Sequence, residues 1–141
     1  MASALSNHFK YQLAKKQIDM GADIFKLILM NTGFTFNKDS HATLTDVSAS
    51  ELANGNGYTT GGVTLANSTV TEDDSVDKAI TVFDNITFTA SEGSLGPTPG
   101  AIVYDDTTSD DTIVGYIDFI TERTITVGNN LLIQNIAVNI A

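Results

Sequence analysis

The sequence predicts a mainly β protein, an antiparallel β-sandwich or barrel of jelly-roll-like type, with a short amphipathic helix near its start. Three observations predict this class. Short segments rich in β-branched and aromatic residues recur through residues 63–140. They lie too close together for crossover helices, because each parallel connection needs about a dozen residues. The uncharged polar residues are mainly Thr, Ser, Asn and Gly, which suit strands and tight turns.

The length of 141 residues fits one domain. We expect residues 1–20 to form an N-terminal helix or arm and residues 21–141 to form a single β domain. In the arm, Leu5, Phe9 and Leu13 recur at four-residue spacing, which predicts a helix over residues 3–16 with one apolar face. That face must pack on the chain's own core or on a neighbouring subunit, and the spacing favours neither.

The β domain is predicted to begin with a buried strand over residues 24–30, an apolar run bounded by turn residues. The Asn- and Gly-rich residues 54–62 are the strongest loop signal, because both residue types tolerate positive φ. A phosphate-binding loop is excluded there, since no Lys-Ser or Lys-Thr follows at the Walker spacing.

Hairpin patterns follow in the second half of the chain. Residues 79–82 and 86–90 predict one hairpin, and residues 93–100, which hold both prolines, predict a loop. Residues 101–104 and 112–119 flank an acidic turn and form the clearest hairpin. Further strands are predicted over residues 124–127 and 131–140, giving about seven or eight strands in all.

Composition excludes several functional classes. The chain has no cysteine, and it has no apolar run of about 18 residues that could span a membrane. Residues 27–141 hold three basic and fifteen acidic side chains, a net charge of −12. A body this acidic repels phosphate backbones, so we expect no direct contact with nucleic acid.

The sequence offers little chemistry. His8 and His41 lie in no catalytic or zinc-binding pattern, and we expect both on the surface. Acidic residues cluster over residues 72–77 and 105–111, where we expect solvated hairpin tips, with a bound cation as the alternative. Paired carboxylates could serve a glycosidase, but no tryptophan is present to stack on a sugar. We therefore predict a protein that is not an enzyme, with no catalytic residue, metal or cofactor.

Three segments carry a family resemblance. They are SALSNHFKYQL at residues 3–13, NGNGYTTGG at residues 54–62 and the segment of residues 96–119, which holds GAIVYDDTT at residues 100–108 and GYIDF at residues 115–119. In this order they resemble a group of small virion proteins of tailed bacteriophages, described as capsid decoration (cement) or fibre-like proteins. The resemblance spans nearly the whole chain, and its motifs are structural rather than catalytic.

The resemblance implies a capsid decoration protein that stabilises the head by binding between capsid subunits. Its partners would be the major capsid protein and copies of itself, with a trimer favoured, on the outer capsid surface after synthesis in the host cytoplasm. Leu5, Phe9 and Leu13 would then be assembly contacts. The alternatives are a fibre-like, receptor- or glycan-binding module, for which Tyr58 and Tyr104 are predicted as exposed contacts at loop tips, and a head–tail or tail accessory protein.

Overall fold

The computed structural model describes residues 4–141, and antiparallel strands dominate it. All strand pairings within these residues are antiparallel, which confirms the mainly β, sandwich-like fold class. The strands are β1 Ala4–Leu5, β2 Phe25–Leu29, β3 Val63–Thr64, β4 Thr69–Asp73, β5 Lys78–Val82, β6 Ile86–Thr89, β7 Leu95–Asp105, β8 Ile113–Ile125, β9 Asn130–Ile133 and β10 Ala137–Ile140. The helices are α1 Asn7–Ala14, α2 Leu44–Val47 and a 3₁₀ turn, Ser48–Ser50.

The first sheet has five strands in the order β1-β8-β7-β2-β3. The predicted hairpin over the acidic turn is confirmed, because β7 pairs antiparallel with β8. In β2, Leu27, Ile28 and Leu29 are all fully buried, so this strand is covered on both faces. Leu27 and Leu29 belong to the larger core and Ile28 to a smaller one on the opposite face. The continuous apolar run at residues 24–30 reflects this double burial.

The second layer is formed by strands from the later part of the chain. β5 pairs with β10, and β6 pairs with β9. Val82 lies opposite Ala137 and Ile86 opposite Ile133, so the register continues unchanged across the short breaks between the strands. The β5–β6 segment and the β9–β10 segment therefore act as two long strands, and β4 pairs with β5 on the other side. Phe83, Phe88 and Val138 of this layer pack in the larger core with β2 and β7.

Three strand predictions are wrong. Residues 79–82 and 86–90 do not pair as a hairpin, because each pairs with a distant strand, β10 or β9. The predicted strand over residues 131–140 is two strands, interrupted where Asn135 adopts a φ of 56°. The predicted strand over residues 124–127 is also not separate, since β8 continues to Ile125.

The proline-containing segment is a strand rather than the predicted loop. Residues 95–105 form β7, whose pairing with β8 shifts register around Thr98 and Gly100. β2 pairs with β7 only from Ala101 onward, so Pro97 and Pro99 lie where one side of the strand has no ladder. Proline is tolerated in a sheet at such edges and bulges. The Gly96–Pro97 peptide bond is cis.

The N-terminal helix is shorter than predicted. α1 begins at Asn7, and the amide of His8 donates to the Ser6 hydroxyl, which caps the helix. Leu5 therefore lies in β1, opposite Gly115 of β8, and not on the helix. Residue 3 of the predicted helix, like residues 1 and 2 of the predicted arm, lies outside the described residues.

Candidate assembly surface

Tyr58 and Tyr104 are not exposed at loop tips, so that prediction is wrong. Each side chain is only 2% exposed. The Tyr58 hydroxyl donates to Glu51 Oε1 at 2.6 Å and accepts from the Leu29 amide at 3.2 Å. The Tyr104 hydroxyl donates to the Gly61 carbonyl at 3.1 Å. Both rings are therefore structural.

Two glycines explain why the Asn- and Gly-rich loop folds inward. Gly57 and Gly62 have positive φ, and a Cβ at either position would lie 2.0 Å from a backbone oxygen of another strand, that of Thr89 or Leu27. Only glycine allows so close an approach. The loop thus lies flat on the sheets and carries Tyr58 into the core.

The predicted stripe of Leu5, Phe9 and Leu13 divides between two environments. Phe9 is fully buried in the larger core, so the own-core interpretation holds for this residue. Leu5 and Leu13 are only partly buried at the margin of that core. All three border one cavity, which makes the stripe the wall of a groove rather than an isolated contact face.

This groove, called here the α1 groove, lies between α1 and the end of β10. Its volume is about 500 Å³, within the range of binding cavities. Its lining is mostly apolar and comes from two parts of the chain, Leu5, Phe9, Lys10, Leu13 and Ala14 on one side and Asn139, Ile140 and Ala141 on the other. Lys10 is exposed and makes no ion pair with any residue from 4 to 141. The groove can bind an apolar surface but offers no acid–base pair for catalysis.

A second groove, called here the β9 groove, lies beside strand β9. It holds about 420 Å³ between the outer half of β8 and strand β9. Phe119 and Ile125 line it from β8 with Arg123, the one arginine of the sequence. On the β9 side, Leu132 is 52% exposed. The α1 groove and the β9 groove therefore lie at the two ends of one continuous strand segment that includes β9 and β10.

That strand is the β9–β10 edge, residues 130–140. It pairs on one side only, with β5 and β6, and within residues 4–141 nothing pairs with its other side. The segment contains no charged residue. At the opposite end of the same layer, β4 also pairs on one side only, but it carries Glu72 and Asp73.

The acidic turn at the tip of β7 and β8 holds a feature that the sequence did not reveal. We expected solvated acids there, but Asp105 is fully buried. Its Oδ1 accepts from the amides of Thr107 and Thr108, and no donor within residues 4–141 reaches its Oδ2. Burial, and then the neighbouring carboxyl group of Asp23, raise the pKa of Asp105 to about 7. The nearby Asp23 thus adds to the cost that burial places on ionising the Asp105 carboxyl group.

Within residues 4–141, the remaining polar groups assemble no reactive centre. No group of three or more His, Cys, Asp or Glu within residues 4–141 could hold a metal ion. His8 contacts Asp110 at 2.9 Å, while His41 accepts from the Asn37 amide and stacks on Phe34. Burial opposes ionisation of Asp110, but hydrogen bonds from Thr112 and His8 outweigh it and lower its pKa.

Comparison with known proteins returns no matching family model, no matching curated protein and no matching solved structure. Among the helices of residues 4–141, none has the length and apolar character needed to cross a membrane. Any functional argument therefore starts from the surface of the chain itself. The β9–β10 edge with its two grooves is the surface that most resembles a binding site.

Proposed function

We propose that this chain is a structural subunit that works by assembly, and specifically a capsid decoration protein of a tailed phage. The observation that carries the proposal is the β9–β10 edge, an uncharged strand with a free side and an apolar groove at each end. The decoration role adds the family resemblance described above. Its partners would be the major capsid protein and copies of itself, on the outer surface of the virion.

The edge supports this proposal because soluble proteins normally protect such strands. Charged residues, prolines or covering loops prevent a free strand from pairing with other chains. β4 has this protection in Glu72 and Asp73, whereas residues 130–140 have none. An unprotected edge beside apolar grooves is typical of a surface that is covered when the protein is in its assembly.

Charge supports a protein partner. With a net charge of −10, the chain favours a basic or neutral protein surface and repels nucleic acid. A decoration protein needs only shape and buried area to hold neighbouring capsid subunits together, which agrees with a surface that carries grooves and no reactive centre. The same reasoning supports a role that is not enzymatic.

One of the competing roles has lost its specific support. The glycan- or receptor-binding alternative depended on exposed aromatic side chains at Tyr58 and Tyr104, and both are buried. A head–tail or tail accessory protein would differ from a decoration protein in copy number and position on the particle.

The α1 groove can be blocked without disturbing the core. Deleting residues 1–16 would remove Phe9 from the core, so a point variant is the cleaner test. Ala14 is exposed and lines the groove, and Ala14→Glu would place a charge in its apolar mouth. Ala22→Glu is the matched control, because Ala22 is exposed and borders neither groove.

The assay is co-sedimentation with purified phage heads that lack this chain. We expect Ala22→Glu to bind as the unsubstituted chain does and Ala14→Glu to lose at least about tenfold in affinity, since an unpaired charge is costly to bury in an interface. Equal binding by both variants would exclude the α1 groove as the docking surface. Failure of the unsubstituted chain to bind any head would contradict the decoration role.

A further inference from the structure

We propose that copies of this chain join head to tail, with the free side of β10 in one copy pairing with the free side of β4 in the next. The inference rests on the proposed self-assembly and names the surfaces that perform it. The second layer would then continue from copy to copy as one sheet. Because the two surfaces differ, the interface is heterologous, and rotation about a common axis would close it into a ring.

Strand direction allows this pairing. β4 and β10 both pair antiparallel with β5, so they run in the same direction. A rotation axis parallel to the strands preserves that direction, and the joint between copies would be a parallel pair. Each copy would extend the sheet of its neighbour, and the strands of all copies would keep the same direction along the axis.

Register gives the two strands matching heights. Asn139 of β10 and Thr71 of β4 both lie opposite Ile80. Ile140 and Glu72 both lie opposite Ala79. If copies rotate without sliding along the axis, Asn139 of one copy meets Thr71 of the next, and Ile140 meets Glu72.

Charge selects this arrangement over its symmetric alternatives. Lys10 shares the α1 groove with Ile140, so Glu72 of the next copy would approach an ammonium group that has no ion pair within residues 4–141. Two β10 edges facing each other would bring two Lys10 side chains together. Two β4 edges would oppose Glu72 and Asp73 with their own copies. Of the three arrangements, only the head-to-tail joint places opposite charges next to each other.

Cysteine cross-linking tests the joint directly, because the chain has no cysteine of its own. Thr71→Cys and Asn139→Cys are prepared singly and together, and oxidised after native mass measurement shows the oligomeric state. Adjacent strands lie about 4.8 Å apart, so residues at the same height bring their Cα atoms within the range of about 4.4–6.8 Å that a disulfide spans. Reduction of each product confirms that the bond is a disulfide.

The expected result is specific to a heterologous interface. Neither single variant should cross-link with itself, a mixture of the two should give covalent dimers, and the double variant should give covalent oligomers up to the native size. Dimers from Asn139→Cys alone would overturn the inference in favour of a two-fold β10 interface. An oligomer that the double variant fails to cross-link would overturn the inference while self-assembly stands. A monomer at every concentration would overturn both, and binding to phage heads would then be judged separately.

Charge reversal gives an independent readout. Lys10→Glu should weaken self-association by about tenfold, since it replaces an attraction with a repulsion. Adding Glu72→Lys in the same chain should restore it. Lys38→Glu, an exposed site outside the α1 groove, is the control. Failure of the double variant to recover, or an equal loss in the control, would overturn the assigned pair.

Discussion

Replacing Asp105 with asparagine isolates the buried acid beneath the β7–β8 turn. The asparagine Oδ1 can still accept from the amides of Thr107 and Thr108. Its Nδ2 would occupy the place of Oδ2, which has no donor within residues 4–141, and could donate to the carboxylate of Asp23. The variant therefore retains the contacts and removes the titration.

The direction in which the free energy of unfolding changes with pH follows from proton binding. The pKa of Asp105 is raised from 3.8 to about 7 in the folded protein. Between these two pH values the folded state holds a proton that the unfolded state has released, so the free energy of unfolding falls as pH rises. The loss is complete a little above pH 7. A shift of about three pH units corresponds to about 4 kcal/mol as a ceiling, and relaxation of the turn reduces this to about 2–4 kcal/mol.

Urea unfolding followed by far-ultraviolet circular dichroism measures this effect at pH 5 and at pH 8. We expect the stability of Asp105→Asn relative to the unsubstituted chain to rise by about 2–3 kcal/mol between pH 5 and pH 8, because about two of the three pH units of the shift lie above pH 5. The midpoint of thermal unfolding should shift by about 4 °C for each kcal/mol.

Two neighbouring groups need attention in this experiment. Burial, followed by the nearby Asp106 and Asp110 charges, raises the pKa of Asp111, which adds to the trend in both proteins. Lys26 pairs with Asp106 at 3.2 Å in both. Asp74→Asn removes the same charge from an exposed turn and serves as the control. A constant difference between Asp105→Asn and the unsubstituted chain from pH 5 to pH 8 would refute the reasoning.

Three further substitutions test the packing that shapes the assembly surface. Phe9→Ala should lower the free energy of unfolding by about 3–5 kcal/mol in urea, because a fully buried ring leaves a cavity, and a loss below about 1 kcal/mol would place Phe9 outside the core. Tyr58→Phe should lower the free energy of unfolding by about 1–2 kcal/mol, because the buried Leu29 amide loses its acceptor. Tyr11 is exposed, so Tyr11→Phe should cost under about 0.5 kcal/mol. Equal costs would contradict the burial of the Tyr58 hydroxyl. Gly62→Ala should lower the free energy of unfolding by more than about 3 kcal/mol, since its Cβ would meet the Leu27 oxygen at 2.0 Å. Gly33 shares the positive φ, but a Cβ there meets nothing within 4 Å, so Gly33→Ala should cost only about 1 kcal/mol. A similar loss at both sites would contradict the steric explanation.

Local patterns predicted most strands but not their partners. The alternation around Ile86 and Phe88 correctly indicated a strand with one buried face. Its partner is β9, more than forty residues later, and no turn signal at residues 84–85 could reveal that choice. The acidic turn between β7 and β8 was predicted correctly because both partners adjoin it. Pairing was thus predictable where it was local.

The candidate site was only partly visible in the sequence. The spacing of Leu5, Phe9 and Leu13 indicated an apolar wall, but its division between core and groove depends on β10 at the far end of the chain. Tyr58 looked exposed because loops usually are, and the glycines on either side of it were the available sign of close packing. Asp105 is buried beside Asp23, which lies more than eighty residues away, so neighbouring residues gave no indication of its environment.

The most direct test of the central claim is the position and number of copies of this chain on an intact phage particle, measured by electron cryo-microscopy of the virion. A decoration role predicts many copies spread over the capsid faces where capsid subunits meet, with the α1 groove and the β9–β10 edge covered by neighbouring protein. A few copies confined to one vertex or to the tail, or particles with this surface left bare to solvent, would contradict the account.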